Sequence, residues 1–311
     1  MERILIENLD IPIIRSCNLA CAGCLTLSNY KSIRGHTRLE DSIEWMKFWA
    51  SKIAPENLTL FGGEPLLHPQ FAEWAVAVRD IWGPDVGISV NTNGFYLPKL
   101  FDKIEILFGE HVRLNVLATV HNQEFDEIIS SHYATLQTLV QECFNPTDFA
   151  NSRWHGIIVE DKKTWIKATF PRYDLLFSMT KQYGIGWCQY IDSTNLIQPH
   201  YSYNDVWADA NHLHCNVKNY ITLYEGKLYK CPPSAIIEHS IKALPHAGWD
   251  EYLANYKKLT VDSSDEDIQN WLVRQKGPEN ICNMCAFAGP KNVAKSFPRS
   301  HKHKDGWKIK T

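Results

Sequence analysis

The sequence lacks any long hydrophobic run. Nothing in its 311 residues approaches the roughly 18 apolar positions a bilayer-spanning helix needs, so no membrane partner is expected. The opening Met1-Glu2-Arg3-Ile4 lacks the layout of a secretion signal, which makes a cytoplasmic protein the expectation. Charge of one sign is also missing. Lys and Arg total 32 against 35 Asp and Glu, and the net charge of −3 gives no global pull toward nucleic acid or anionic lipid. There is no repeat of fixed period and no low-complexity linker. What is present is an ordinary globular mixture, 44% hydrophobic and 22% charged, enough for one large core and an accessory unit.

Cysteine is the exception to this plainness. Nine occur, and in a reducing compartment that number argues for metal or redox use rather than structural disulfides. Cys17, Cys21 and Cys24 sit together near the start. Cys215, Cys231, Cys282 and Cys285 come late, and Cys143 and Cys188 stand alone.

From about residue 8 to 190, short β-branched or apolar runs alternate with amphipathic stretches, the pattern of repeated strand–helix units and a parallel sheet. Six strands are expected, at Ile11–Ile14, Leu58–Phe61, Val86–Asn91, Val112–Val120, Gly156–Val159 and Ile185–Ile191. Thr37 and Glu40 read as a capping box for a helix bearing Leu39, Ile43, Met46 and Ile53. Further helices are expected around Trp74, ending before Gly83-Pro84, and over 124–143 and 172–183. Beyond residue 190 the style changes. Tyr220–Tyr224, the turn Glu225-Gly226 and Lys227–Lys230 predict a β-hairpin ending at Cys231. Ser263 or Ser264 caps a helix with Asp265, Glu266 and Asp267 in its first turn, stopped by Gly277-Pro278. Cys282 and Cys285 then fall on a loop. The expected division is therefore 1–190, 191–290 and a basic tail over 291–311.

Cys17, Cys21 and Cys24 place three thiols within eight residues at the exit of the first expected strand. A [4Fe–4S] cluster is normally held by four thiolates, so three leave one iron open, as a catalytic zinc site keeps an open position. A zinc knuckle short of a ligand, or core cysteines grouped by chance, would give the same spacing. The CxxxCxxC pattern resembles the radical S-adenosylmethionine superfamily, and two further segments strengthen the resemblance. Gly62-Gly63-Glu64-Pro65 follows the second expected strand and matches the family's GGEP motif. Asn91-Thr92-Asn93-Gly94 ends the third and resembles its TNG segment. All three lie at carboxyl ends of strands, the face on which barrel enzymes build active sites.

The resemblance implies an α/β fold with a partial (β/α)6 TIM-type barrel, followed by a small C-terminal α+β iron–sulfur domain. It implies that Gly62, Gly63, Glu64 and Pro65, with Asn91, Thr92 and Asn93, bind S-adenosylmethionine. Glu64 would accept from the cofactor's ammonium, and the glycines would let the backbone approach. The implied activity is reductive cleavage of that cofactor to a 5′-deoxyadenosyl radical, which takes a hydrogen atom from substrate. One departure is Gly23, where relatives often carry an aromatic residue before the third cysteine.

Cys215 and Cys231 bracket the hairpin, and Cys282 and Cys285 form a CxxC. Four thiolates in two pairs suit a structural zinc. They also resemble the shortened SPASM arrangement called a twitch domain, which implies an auxiliary [4Fe–4S] cluster used for electron transfer. The cysteines that would serve a second auxiliary cluster are absent.

Other residues carry weaker signals. Cys188, near the last expected barrel strand, is a candidate hydrogen donor or an inert buried thiol. Cys143 reads as helix packing. His121 and Asp192 follow expected strands and are either substrate contacts or satisfied polar loop residues. The stretch Lys291–Lys310 reads as a solvated tail or a phosphate-contacting arm. The leading expectation is a dehydrogenation, epimerisation or rearrangement of a small-molecule or carrier-bound substrate, fed by a reductant such as flavodoxin or ferredoxin. Modification of a peptide or nucleic acid is the second reading, less favoured for peptides because no peptide-recognition domain precedes the triad. A zinc-stapled binding protein without catalysis is the third.

Overall fold

The computed structural model describes residues 2–21, 24–121, 123–144, 153–160, 163–169, 174–181, 191–193, 196–215 and 217–285. The amino-terminal half alternates strand and helix: β1 Ile4–Ile14, α1 Ile43–Ala50, β2 Ile53–Gly62, α2 Phe71–Trp82, β3 Gly87–Thr92, α3 Ile104–Phe108, β4 Leu114–Val120 and α4 Asp126–Cys143. Three further strands follow, β5 Arg153–Glu160, β6 Lys163–Thr169 and β7 Asp174–Lys181, and then the short pair β8 Ile191–Ser193 and β9 Leu196–Gln198. The remainder holds α5 Ala208–Leu213, β10 Tyr220–Tyr224, β11 Lys227–Tyr229, α6 Pro232–Ser240, α7 Asp250–Asn255 and α8 Asp265–Gln275.

One nine-stranded sheet, in the order β11-β10-β1-β2-β3-β4-β7-β6-β5, forms the frame. Six neighbouring strands, β10, β1, β2, β3, β4 and β7, run parallel, as an open partial barrel of the α/β class requires. Two of the six parallel strands are not the expected ones: β7 adds to β4, with the expected strand over Gly156–Val159 lying in antiparallel β5, and β10 of the late hairpin docks on the free edge of β1. Antiparallel β6 and β5 extend the opposite edge.

The two faces of the sheet differ. Ile11, Leu60, Val90, Val116 and Phe177 lie side by side in register. Phe177 stacks on Phe108 of α3 and meets Tyr133 of α4 edge-on, so this row faces the helices. Trp49, Trp74 and Trp82 complete that core, each almost wholly removed from water. Burial of this kind contributes about 25 cal/mol per Å² of apolar surface. The opposite face carries Asp10, Thr59, Ser89 and Asn115 in one register row. A second, smaller core gathers Leu27, Ile33, Tyr224, Tyr229, Trp249, Tyr252 and Met284 around the late hairpin.

Several boundaries differ from the sequence reading. Residues 174–181 form β7, not a helix: Leu175, Phe177 and Met179 are buried at every second position, which is the period of a strand. The expected strand over 185–191 falls almost wholly outside the described residues, and Ile191 opens β8. Helix α1 begins after Ser42, and Ile53 opens β2. Thr37 does not cap it. Its backbone N–H donates to the Ile13 carbonyl at 2.9 Å, while Glu40 accepts from the Gln70 amide at 2.6 Å. The late hairpin forms as expected, with Glu225 at φ 48° and Gly226 at φ 78°, both in the region a two-residue type I′ turn demands. Ser264 caps α8 in a reciprocal box with Asp267.

Candidate functional site

Strand β1 ends at Ile14, and the loop beyond it carries Cys17, Cys21 and Cys24, all half-buried. The Cys17 sulfur accepts from the Leu19 N–H at 3.3 Å and stands 3.7 Å from the Asn93 side-chain amide. Cys24 Sγ lies 3.3 Å from Thr26 Oγ1, which is bonded in turn to Ser28 Oγ at 2.8 Å. Such donors aimed at sulfur suit thiolates that hold an iron–sulfur cluster. Among the described residues, no three His, Cys, Asp or Glu side chains converge on a single metal ion. Cysteines that each hold a different iron of a cluster stand further apart than ligands of one ion.

Two glycines allow the next segment to approach this loop. A Cβ on Gly62, at φ 142°, would stand 2.0 Å from the Ile14 carbonyl oxygen, and one on Gly63 would stand 2.2 Å from that of Ser16. The strand ends are then tied together, with Gly63 N–H donating to Ile14 O at 2.8 Å and Glu64 N–H to Ser16 O at 2.9 Å. Pro65 opens a 3-10 turn that Glu64 caps.

Glu64, the expected partner of the cofactor's ammonium, is 0% exposed and binds the end of the third strand. Its carboxylate accepts from Thr92 Oγ1 at 2.7 Å, from the Asn93 backbone N–H at 2.7 Å and from the Leu66 backbone N–H at 3.1 Å. Burial pushes its carboxyl up to about 7, against the lowering effect of those bonds. Asn93, held by Glu64, reaches back to the cysteine loop and donates to Asn18 Oδ1 at 2.8 Å. The GGEP and TNG segments and the first cysteine thus form one hydrogen-bonded unit. Asn91 is exposed, on the sheet face away from the helices, while Thr92 and Asn93 are buried.

The four late cysteines are brought together. Cys215, Cys231, Cys282 and Cys285 line one cavity of about 20 Å³, with Asn211, Lys230 and Met284 among its other walls. Cys231 is the residue before α6, and Cys282 lies in a 3-10 turn, Asn280–Met284, where the sequence suggested a loop. Burial pushes the Cys231 and Cys282 thiols up to about 11 and raises that of Cys215. Three supports escaped the sequence reading. Asn211 donates to the carbonyls of Cys282 and Cys285 at 3.0 and 2.8 Å. Asn283 donates to those of Tyr203 and Asp205, both at 2.9 Å. The buried Lys230 ammonium donates to Gln275 O and Gly277 O at 2.8 and 2.6 Å. An Asn four positions before the first cysteine and another inside the CxxC were the only signals available.

Cys143 is exposed at the end of α4, so the packing role is not found. His121 follows β4 as expected and is half-buried, its imidazole held below the usual range by burial. Asp192 lies in β8, which pairs with β9 and is not part of the nine-stranded sheet. Cys188, Gly23 and the stretch Lys291–Lys310 lie outside the described residues.

The sequence profile of the Radical SAM superfamily matches residues 11–135. No curated protein sequence matches the chain. Among solved structures, it is similar to BtrN in complex with AdoMet and 2-DOIA, at 12% identity and a TM-score of 0.47 over 91% of this chain and 94% of that one. It is also similar to anSMEcpe with bound AdoMet and a Cp18Cys peptide, at 17% identity and a TM-score of 0.26 over 43% and 48% of the two chains. Streptococcus suis SuiB bound to S-adenosylmethionine matches at 12% identity and a TM-score of 0.35 over 85% and 65%.

Proposed function

With residues 11–135 belonging to the radical SAM superfamily, we propose that Cys17, Cys21 and Cys24 hold a [4Fe–4S] cluster with one open iron position. S-adenosylmethionine binds there, beside Gly62, Gly63, Pro65, Asn91 and Asn93. Cluster and cofactor together supply a 5′-deoxyadenosyl radical that removes a hydrogen atom from substrate. The chain contributes placement. Asn93 and the Leu19 N–H donate toward the Cys17 sulfur and disperse its charge. Glu64 holds Thr92 and Asn93 in position from a fully buried place. In this reading Glu64 organises the cofactor site, and backbone groups of the glycine segment face the cofactor's ammonium. The observation that carries the reading is this single hydrogen-bonded unit, which joins three segments distant in sequence at the carboxyl ends of β1, β2 and β3.

The late cysteines are proposed to hold an auxiliary four-cysteine [4Fe–4S] cluster within a twitch-like unit spanning 191–290. One feature supports a cluster over zinc: the four thiols line one cavity, yet among the described residues no three of them converge on a single point. With all four ligands from protein, its role is electron transfer, which suits a dehydrogenation fed by a flavodoxin- or ferredoxin-type reductant. A small-molecule or carrier-bound substrate would meet the sheet face opposite α3 and α4, where Asn91 is exposed and Asn115, Leu117 and Thr119 are partly so.

Anaerobic iron and sulfide analysis tests both assignments. Roughly eight irons per chain are expected, falling to about four in Cys17→Ala/Cys21→Ala/Cys24→Ala and to about four in Cys231→Ala/Cys282→Ala. Zinc at one per chain with about four irons would replace the auxiliary cluster with a structural metal. Zinc with no iron would leave a non-catalytic binding protein.

A further inference from the structure

The wall of the four-cysteine cavity carries a buried cation that the proposed chemistry does not use. Lys230 precedes Cys231 at the end of the late hairpin and lines the cavity together with Cys215, Cys231, Cys282 and Cys285. It is 3% exposed. Its ammonium has three donors, of which two are taken up by Gln275 O at 2.8 Å and Gly277 O at 2.6 Å. A lysine that only capped the carbonyls at the end of α8 could keep its head in water. Burying the charge is costly unless an opposite charge answers it, and the cavity wall holds no Asp or Glu. The other charged groups nearby do not match Lys230. Lys218, also on the wall, is exposed, where water screens it. His212 is an imidazole whose charge burial and the two lysines disfavour. Glu279, which acts on Cys282 from outside the wall, is paired with Arg274 at 2.8 Å.

We propose that Lys230 is the buried counter-charge of the auxiliary cluster and raises its reduction potential. The inference rests on the four-cysteine cluster reading and adds to it a residue that is not a ligand. A [4Fe–4S] centre held by four thiolates is net negative and gains one more negative charge when it takes up an electron. A fixed cation beside it stabilises the reduced form more than the oxidised form, so the potential rises. In a buried site the attraction is weakly screened. Lys230 is fixed from both sides: the peptide bond joins it to Cys231, and its anchors lie at the end of α8 and in the turn that leads to Cys282 and Cys285. Burial raises the thiols of Cys215, Cys231 and Cys282, and the Lys230 charge acts against that rise at all three. The ammonium thus favours both the thiolates that bind iron and the entry of an electron, the direction a dehydrogenation needs when a substrate radical gives up its electron.

An EPR-monitored redox titration of the reconstituted full chain carrying Cys17→Ala/Cys21→Ala/Cys24→Ala reads the auxiliary cluster alone. In that background Lys230→Met should lower the potential by about 59 mV or more, a tenfold change in a one-electron equilibrium. Lys230→Arg keeps the charge and the donors, and Lys218→Met removes only a screened charge, so each should stay within about threefold of the parent. If Lys230→Met takes up no iron, Lys230→Gln, which keeps a donor for the carbonyls without the charge, carries the same expectation. Uptake by neither, with Lys230→Arg fully loaded, would support the assignment by showing that the charge itself is required. A potential unmoved in the neutral variants, an equal drop in Lys230→Arg or Lys218→Met, or loss of the cluster from all three Lys230 variants would overturn it and leave Lys230 a cap on α8. Zinc in place of iron in the parent would end the cluster reading and this inference with it, so metal content separates the two failures.

Discussion

Replacing Glu64 by Gln tests the link between the glycine segment and the cysteine loop with no change of shape. The native carboxylate is an acceptor at both oxygens, taking Thr92 Oγ1 and the Leu66 N–H on one and the Asn93 N–H on the other. A glutamine amide has one acceptor oxygen. If that oxygen faces Thr92 and Leu66, its NH2 opposes the Asn93 N–H. If it faces Asn93, the NH2 opposes the Leu66 N–H. Either way one buried backbone donor loses its partner, at a cost of about 1–3 kcal/mol. Chemical unfolding at pH 6.5 should show that loss. Because Asn93 also approaches Cys17, S-adenosylmethionine should bind roughly tenfold more weakly, equivalent to about 1.4 kcal/mol. The stability gap should narrow as pH rises from about 4.5 to 7, the range in which the folded chain, its carboxyl standing at about 7, keeps a proton that the unfolded chain has lost. A variant as stable as the wild type at pH 6.5, with unchanged cofactor affinity, would refute the view of Glu64 as an internal acceptor that organises the site.

Gly62→Ala should abolish recovery of cluster-loaded protein, because its Cβ would meet the Ile14 carbonyl oxygen at 2.0 Å; iron content after reconstitution checks it. Stability should fall as pH rises from about 4 to 8. The folded chain keeps a proton on Asp10, whose carboxyl stands at about 8 against an ordinary 3.8, while the unfolded chain has lost it. Thermal unfolding across that range should show a slope of up to about 1.4 kcal/mol per pH unit, reduced in Asp10→Asn, with residual slope from Glu64 below pH 7. Asn93→Ala removes a donor directed at the Cys17 sulfur and should shift the first cluster's reduction potential to more negative values, read by EPR-monitored titration.

The sequence made the chemistry of the first site more legible than its construction. Cysteine spacing, Gly62-Gly63 and the Asn91–Gly94 segment locate the site because each stands at the end of a strand with a clear apolar pattern. The hydrogen bonds of Glu64 to Thr92 and Asn93 were hidden, since a carboxylate after two glycines reads as a ligand and these partners lie on another strand. The four late cysteines could be grouped from their pairing, while Asn211, Asn283 and Lys230 could not, because their contacts are with backbone atoms far away in the chain. The sequence of β7 reads as a helix because Leu176 between Leu175 and Phe177 blurs a period of two. The docking of β10 on β1, and with it the row from Thr222 to Asn115, has no local signature: the partners of Asp10 lie between 49 and 212 positions away.

The most direct measurement is anaerobic incubation of the reconstituted, reduced protein with S-adenosylmethionine, following 5′-deoxyadenosine and methionine by chromatography and the cluster by EPR. Equal amounts of the two products, a changed EPR spectrum on adding the cofactor, and loss of both signals in Cys17→Ala, Cys21→Ala and Cys24→Ala are predicted. A cluster spectrum indifferent to the cofactor, or products that persist without the three thiols, would contradict the account.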